Sequence, residues 1–225
     1  MLHSESAQKY GPEDRKTSSV FENLLLLPDN VFWHIFRTSC LFSDGMKSNS
    51  GRLLNYAFWC HWDSNGTNNS NFVEPDLFLR FEEFDVIIEA KYNDINGQYS
   101  NQWERELKGY YNEYGKDNKS VFFIAVGGNA TLNKEKIIVD GQEQSIFKCS
   151  WLSLLVNVNK YRNELRKITV CDMQTSATLR LLDTIILSFN INGVYNIDWF
   201  GSMDYSKPII NSKSIISIKQ YYNYE

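Results

Sequence analysis

The sequence predicts an α/β protein in which a mixed β-sheet is flanked by helices. Two apolar segments, 76–81 and 85–91, are separated by a short acidic turn and have the period-two alternation of an antiparallel hairpin. The segment 101–114 follows with an apolar stripe at helical spacing. The apolar run 121–126 is then typical of a strand that is covered on both faces. Strands and helices in this order predict a sheet with helices packed on it.

The remaining elements complete a core and an extension. Helices are predicted at 20–27, 31–41, 151–165 and 176–189, strands at 53–62 and 145–149, and a short hairpin around Asp140. Three regions follow from this pattern: a flexible tail over 1–18, a core over 19–165, and a helical or irregular extension over 166–225. We expect that extension to pack on the core or to make oligomer or partner contacts.

Composition limits the class of protein. The 225 residues are 43% hydrophobic and 15% aromatic, which is typical of a globular chain with a full core. No run approaches the roughly 18 apolar residues of a membrane span, and no secretory signal is recognisable. The four cysteines, Cys40, Cys60, Cys149 and Cys171, are widely spaced. We expect reduced thiols in a cytoplasmic protein that does not contact a membrane.

Other chemistries have little support. The sequence lacks a serine-nucleophile elbow, a dinucleotide-binding glycine motif and a histidine or cysteine cluster for zinc. The formal net charge of −4 comes without a dense basic run. Because tight nucleic-acid binders usually carry a basic face, this charge argues against autonomous DNA binding. It favours a partner subunit that supplies the contacts to DNA.

The candidate reactive residues lie at the end of the first hairpin. Glu89 and Lys91 share one face of their strand, and antiparallel pairing brings Asp76 back beside them. Two carboxylates and an amine at one strand end are unfavourable to desolvate unless something binds there. A divalent cation such as Mg²⁺, which takes oxygen ligands, is the expected occupant.

Pro75-Asp76, then Glu89-Ala90-Lys91 at the end of an apolar strand, then Gln102 in the next helix, resembles the PD-(D/E)xK nucleases. The order of elements matches over roughly residues 20 to 155. The resemblance implies a restriction-endonuclease-like core and hydrolysis of phosphodiester bonds that depends on Mg²⁺ or Mn²⁺.

The resemblance also implies residue roles. Asp76, Glu89 and the carbonyl of Ala90 would hold the cation, and Lys91 would position the attacking water and offset developing charge. Glu22, on a helix before the sheet, would be the acid that assists the metal site. Its alternative is a solvated helical glutamate.

Gln102 would hydrogen-bond the water or phosphate, and its alternative is a solvent-facing residue in the first turn of its helix. Competing acids nearby are Glu74, Asp85 and Asp94. Asp85 shares the face of Glu89 but lies further from the strand end.

The substrate is expected to be nucleic acid, with DNA favoured over RNA. By analogy with the family, the chain would be the nuclease component of a bacterial or phage defence or restriction system. We expect a homo-oligomer and a partner protein. Two alternatives stay open: an inactive nuclease-fold protein that serves as a binding or structural subunit, and a nuclease for single-stranded DNA or RNA.

Overall fold

The computed structural model describes residues 11–168 and 172–196. Within these ranges the helices are α1 (Pro12–Leu24), α2 (Asp29–Ser39), α3 (Ser100–Tyr114), α4 (Trp151–Arg166) and α5 (Met173–Ile191). The strands are β1 (Leu53–Phe58), β2 (Trp62–Asp63), β3 (Phe72–Val73), β4 (Leu77–Phe81), β5 (Asp85–Ala90), β6 (Val121–Val126), β7 (Glu135–Val139) and β8 (Gln142–Cys149).

Six strands form one mixed sheet in the order β1-β4-β5-β6-β8-β7. The neighbours β1, β4 and β5 are antiparallel, as are β7 and β8, whereas β5, β6 and β8 run parallel. Strands β2 and β3 form a separate two-stranded sheet. The predicted α/β class, with a mixed sheet and flanking helices, is confirmed.

Helices cover both faces of the large sheet. Because successive residues of a strand point to opposite faces, Ile88 and Ile87 belong to different cores. Ile88 lies in the larger core, where α1, α2, α4 and α5 pack against the sheet. Ile87 lies in a smaller core under α3, together with Trp103 and Leu107 of the predicted helical stripe. The site residues at the end of β5 are thus held between two packed layers.

Helix α1 begins at Pro12, well before its predicted start. A proline at the first helical position and two acidic residues in the first turn both favour a helix at this point. The polar residues 16–18 are buried. The predicted flexible tail over 1–18 is therefore corrected for 12–18, and residues 1–10 lie outside the described residues.

Strand β1 lies at the edge of the sheet, not in its centre. It ends at Phe58, and Trp59, with a φ of 49°, turns the chain away. Leu54 and Tyr56 are exposed. The predicted strand over 53–62 is therefore shorter than expected. Its apolar composition did not indicate an edge position.

Helix α5 belongs to the main body of the chain. Its side chains Leu182, Ile185 and Phe189 are fully buried in the larger core. The described residues up to Tyr195 belong to one compact unit, which includes α5. Residues 197–225 lie outside the described residues, together with the roles predicted for them.

The thiols behave as expected where they are described. Cys40, Cys60 and Cys149 are free, and Cys171 is not among the described residues. Burial raises the pKa of Cys60 to about 12, which makes its thiolate scarce at neutral pH.

Candidate active site

The β4–β5 hairpin places Asp76 opposite Glu89. In the antiparallel register Leu77 faces Ile88. Asp76, which precedes Leu77, therefore lies opposite Glu89, which follows Ile88. Asp76 Oδ2 accepts a hydrogen bond of 2.7 Å from the backbone N–H of Ala90. The expected meeting of two carboxylates at the end of the hairpin is therefore observed.

Glu89 is buried between the sheet and α3, where two side chains donate to one of its oxygens. Nε2 of Gln102, in the first turn of α3, lies 2.6 Å from Glu89 Oε1. The amine of Lys91 donates to the same oxygen. The Gln98 side chain donates to the Glu89 backbone carbonyl at 3.0 Å. Gln102 thus lies where it was predicted, with the Glu89 carboxylate as its described partner.

Lys91 follows β5 directly, and its amine lies among carboxylates. Besides its contact with Glu89, Lys91 Nζ is 3.5 Å from Glu13 Oε1. Burial alone would lower the pKa of Lys91, but the carboxylates of Glu89 and Glu13 outweigh it and raise that pKa above its usual value. Lys91 is therefore a cation at neutral pH, suited to donating hydrogen bonds and not to accepting a proton.

The turn that follows β6 leaves room for the Lys91 side chain. Gly128 has a φ of +65°, a conformation that side chains other than glycine rarely adopt. A Cβ at this position would lie 2.7 Å from the Cβ of Lys91. The turn at Gly128 thus also borders the site.

The first turn of α1 is acidic, and the residue of it that contacts Lys91 is Glu13. Its Oε2 accepts a hydrogen bond of 2.8 Å from the backbone N–H of Tyr92. The predicted Glu22 comes nine residues later, which is about 13 Å further along a helix and about half a turn around it. Glu13, and not Glu22, is therefore the glutamate of α1 that contacts Lys91. The sequence misled because the true start of the helix was not recognised.

Glu106 is a further carboxyl at the site, and it was not among the predicted site residues. It lies one turn after Gln102 on α3 and is 2% exposed. Burial and the neighbouring Glu89 carboxyl raise the pKa of Glu106 well above its usual value. Its spacing of four residues from Gln102 was the available signal, since such pairs share a helix face.

The carboxyls of Asp76 and Glu89 also have raised pKa values. Burial, followed by the charge of Glu89, raises the pKa of Asp76 well above its usual value. Burial raises the pKa of Glu89 in spite of the opposing effect of Lys91. The Lys91 amine contacts Glu13 and Glu89, and Asp76 and Glu106 are charged neighbours of Glu89. Four carboxyls and one amine give the cluster excess negative charge unless protons or a cation offset it.

The donor set fits a hard divalent cation. Among residues 11–168 and 172–196, no three Asp, Glu, His or Cys side chains form a ready-made metal group. However, Mg²⁺ commonly takes only one or two carboxylates and completes its shell with water. Asp76 and Glu89 each use one carboxylate oxygen in the hydrogen bonds given above. Two carboxylates are sufficient for such a shell, and Ala90 adjoins both residues.

The competing acids have other partners. Glu74 Oε2 lies 2.8 Å from His61 Nε2. Asp94 accepts a backbone N–H bond of 2.6 Å at the start of α4. Asp85 is fully buried, and its Oδ1 lies 2.8 Å from Lys119 Nζ. Each of the three acids thus has a partner outside the cluster of Asp76, Glu89 and Lys91.

Comparison with known proteins assigns no activity. The chain matches no protein-family model. It is similar to an uncharacterized protein of Pasteurella multocida (strain Pm70), with 33% identity over 129 residues. The match covers 56% of this chain and 46% of that protein, so the chain spans about half the length of the relative it matches. Among the described helices, none combines the length and apolar character needed to cross a bilayer.

Proposed function

We propose that this chain is a PD-(D/E)xK nuclease that hydrolyses phosphodiester bonds of nucleic acid with Mg²⁺ or Mn²⁺. The observation that carries the proposal is the meeting of Asp76, Glu89 and Lys91 at the end of two neighbouring strands. The amide of Gln102 on Glu89 supports it from the flanking helix. A sheet with mixed strands and helices on both faces is compatible with a restriction-endonuclease-like core.

Each residue has a chemical role in this proposal. Asp76, Glu89 and the carbonyl of Ala90 would hold the cation, because Mg²⁺ and Mn²⁺ prefer oxygen ligands. When bound, the cation would lower the pKa of a water and offset charge on the phosphate. The Lys91 ammonium would donate hydrogen bonds to the water or to a phosphate oxygen as negative charge grows there. Gln102 would hold Glu89 Oε1 in its orientation.

The substrate we favour is DNA, within a bacterial or phage defence or restriction system. The net charge of −4 favours an arrangement in which a partner protein or a second copy of the chain supplies the contacts to nucleic acid. The same charge favours a second candidate, a nuclease-fold subunit that acts only within a larger complex.

The test is a cleavage assay on plasmid, linear DNA, single-stranded DNA and RNA, with Mg²⁺ or Mn²⁺ and with EDTA. We expect cutting that EDTA stops and that Lys91→Ala reduces by at least about a hundredfold, since it removes a charged donor at the reacting phosphate. The matched control is Lys136→Ala, which removes an exposed lysine paired with Glu143 on the edge hairpin.

The outcomes separate the candidates. Equal loss in Lys91→Ala and Lys136→Ala, with folds intact by circular dichroism, would contradict the assigned role of Lys91. Cutting that appears only with a co-purified partner would favour the subunit function. Absence of both cutting and Mn²⁺ binding would refute the nuclease.

A further inference from the structure

Glu106 is a buried acid beside the carboxyl of Glu89. The side chain is 2% exposed, and neither carboxylate oxygen has a hydrogen-bond partner among the described residues. Native proteins pair nearly all of their buried polar atoms, and an unpaired buried carboxylate is strongly unfavourable. The polar side chains beside Glu106 are those of Glu89 and Gln102, so the charge of an ionised Glu106 is left to be offset by a proton or a cation.

The surroundings of Glu106 are acidic. Glu89 and Asp76 are its charged neighbours, and Gln102 lies one turn before it on α3. The nearest amine of the cluster, Lys91, is already paired with Glu89 and Glu13. Two neighbouring buried carboxyls repel each other when both are ionised, and a shared proton or a shared cation removes this repulsion.

We propose that Glu106 is a direct ligand of the divalent cation, which it shares with Glu89. This inference rests on the proposed nuclease function and adds to it a carboxylate from α3 that the PD-(D/E)xK motif does not include. A cation between the two carboxylates offsets the charge of Glu106, and it uses oxygen ligands of the kind that Mg²⁺ and Mn²⁺ prefer. Helix α3 would then contribute a ligand as well as the orienting amide of Gln102.

The test measures Mn²⁺ binding by titration calorimetry, independently of activity. Glu106→Gln keeps the shape of the side chain and removes a charged oxygen ligand, so we expect Mn²⁺ affinity to fall by at least about tenfold. The matched control is Glu104→Gln, on the same helix, where the carboxylate is partly exposed and paired with Lys108. We expect its Mn²⁺ affinity to stay within about twofold of wild type.

A second readout is the rise in melting temperature that Mn²⁺ produces. Wild type and Glu104→Gln should show the full rise, and Glu106→Gln a reduced one, because a ligand stabilises the state that it binds. If Glu106→Gln does not fold, Glu106→Asp is used instead, since it keeps the charge but withdraws the oxygens. Its Mn²⁺ affinity should also fall by about tenfold.

The outcomes distinguish this inference from the nuclease proposal. If Glu106→Gln binds Mn²⁺ as tightly as wild type, the ligand role of Glu106 is overturned. The same holds for Glu106→Asp where that variant is used instead. The nuclease proposal survives that result if Asp76→Asn abolishes Mn²⁺ binding and cleavage. A wild-type protein that neither binds Mn²⁺ nor cuts overturns both. Wild-type cutting that needs Mn²⁺, together with weakened binding in Glu106→Gln, supports both.

Discussion

The side-chain amide of Gln102 lies 2.6 Å from Glu89 Oε1. This contact joins the first turn of α3 to the carboxyl end of strand β5. Because the Lys91 amine donates to the same oxygen, the orientation of this carboxylate is set from a helix and from its own strand. The carboxylate is thereby held in place before any substrate arrives.

Replacing Gln102 should weaken catalysis without unfolding the protein. Gln102→Ala removes the donor that orients Glu89, and loss of such an orienting partner typically lowers metal affinity or activity by about tenfold to a hundredfold. The measurement is kcat/KM for cleavage over a Mn²⁺ titration. Asn101→Ala, at the exposed neighbouring position, is the control and should cut at the wild-type rate. Full activity in Gln102→Ala would contradict the orienting role.

Two glutamates of α1 allow a paired test of its contribution to the site. Glu13→Gln removes a carboxylate 3.5 Å from the Lys91 amine, and we expect cation-dependent cleavage to fall by about tenfold. Glu22→Gln, on the opposite side of the helix, should leave cleavage within about twofold. Initial rates at saturating Mn²⁺ compare the variants directly. The reverse order of the two effects would restore the role first predicted for Glu22.

A methyl group at Gly128 should displace the lysine. Gly128→Ala strains a backbone with φ of +65° and places a Cβ 2.7 Å from Lys91 Cβ. We expect a loss of about 1–3 kcal/mol of stability and at least about tenfold of cleavage activity. Gly141→Ala is the control, because its φ is +81° but a Cβ there meets open space. It should lose similar stability and keep its activity; equal activity loss in both would rule out a local effect on Lys91.

Asp85 should matter for stability and not for chemistry. It is fully buried, with Lys119 Nζ at 2.8 Å and the Tyr110 hydroxyl at 3.1 Å. Removing one member of a buried ion pair typically destabilises by about 3–5 kcal/mol, so Asp85→Ala should unfold at much lower denaturant concentration. Asp117→Ala, which removes the more exposed partner of Arg80, should change stability by less than about 1 kcal/mol. Weakened Mn²⁺ binding in a folded Asp85 variant would place this residue in the site after all.

The acidic cluster should make the metal-free protein less stable as pH rises. The folded-state pKa values of Asp76, Glu89 and Glu106 are raised above those of the unfolded chain. Such groups contribute stability that is fully present below about pH 4 and is lost as pH rises through the folded pKa values. In EDTA, the melting temperature should therefore fall as pH rises above about 5.

The same experiment has an internal control. Glu106→Gln removes one raised carboxyl, so the fall in melting temperature with pH should be shallower than in wild type. Glu104→Gln should follow the wild-type curve, because its carboxylate is partly exposed. Added Mn²⁺ should raise the wild-type melting temperature most at the upper end of the pH range, where the carboxyls are ionised. A pH profile identical in all three proteins would show that Glu106 does not titrate in this range.

Much of the fold and half of the cluster were predictable because their signals are local. The alternation of β5 put Glu89 and Lys91 on one face, and the acidic turn before it made a hairpin that returns to Asp76. The apolar stripe of α3 fixed which side of that helix packs, and so placed Gln102 toward the sheet. Period and turn residues were sufficient for all of these.

The start of α1 and the edge position of β1 could not be obtained in this way. Polar residues at 16–18 suggest a frayed end, yet Lys16 is buried because its amine donates to the Tyr92 carbonyl and lies over the Trp151 ring. Strand β1 has the composition of a core strand, but its place depends on which strands pair beside it. In both cases distant residues decided the outcome.

The sequence by itself determined the secondary structure around the site and the identity of Asp76, Glu89, Lys91 and Gln102 as its candidates. Only the tertiary structure decided which further carboxyls join them. Glu13 arrives from a helix on one face of the sheet and Glu106 from a helix on the other. The physical reason is that spacing along the chain reports which residues share a face of one element, whereas burial and pairing depend on which elements pack together.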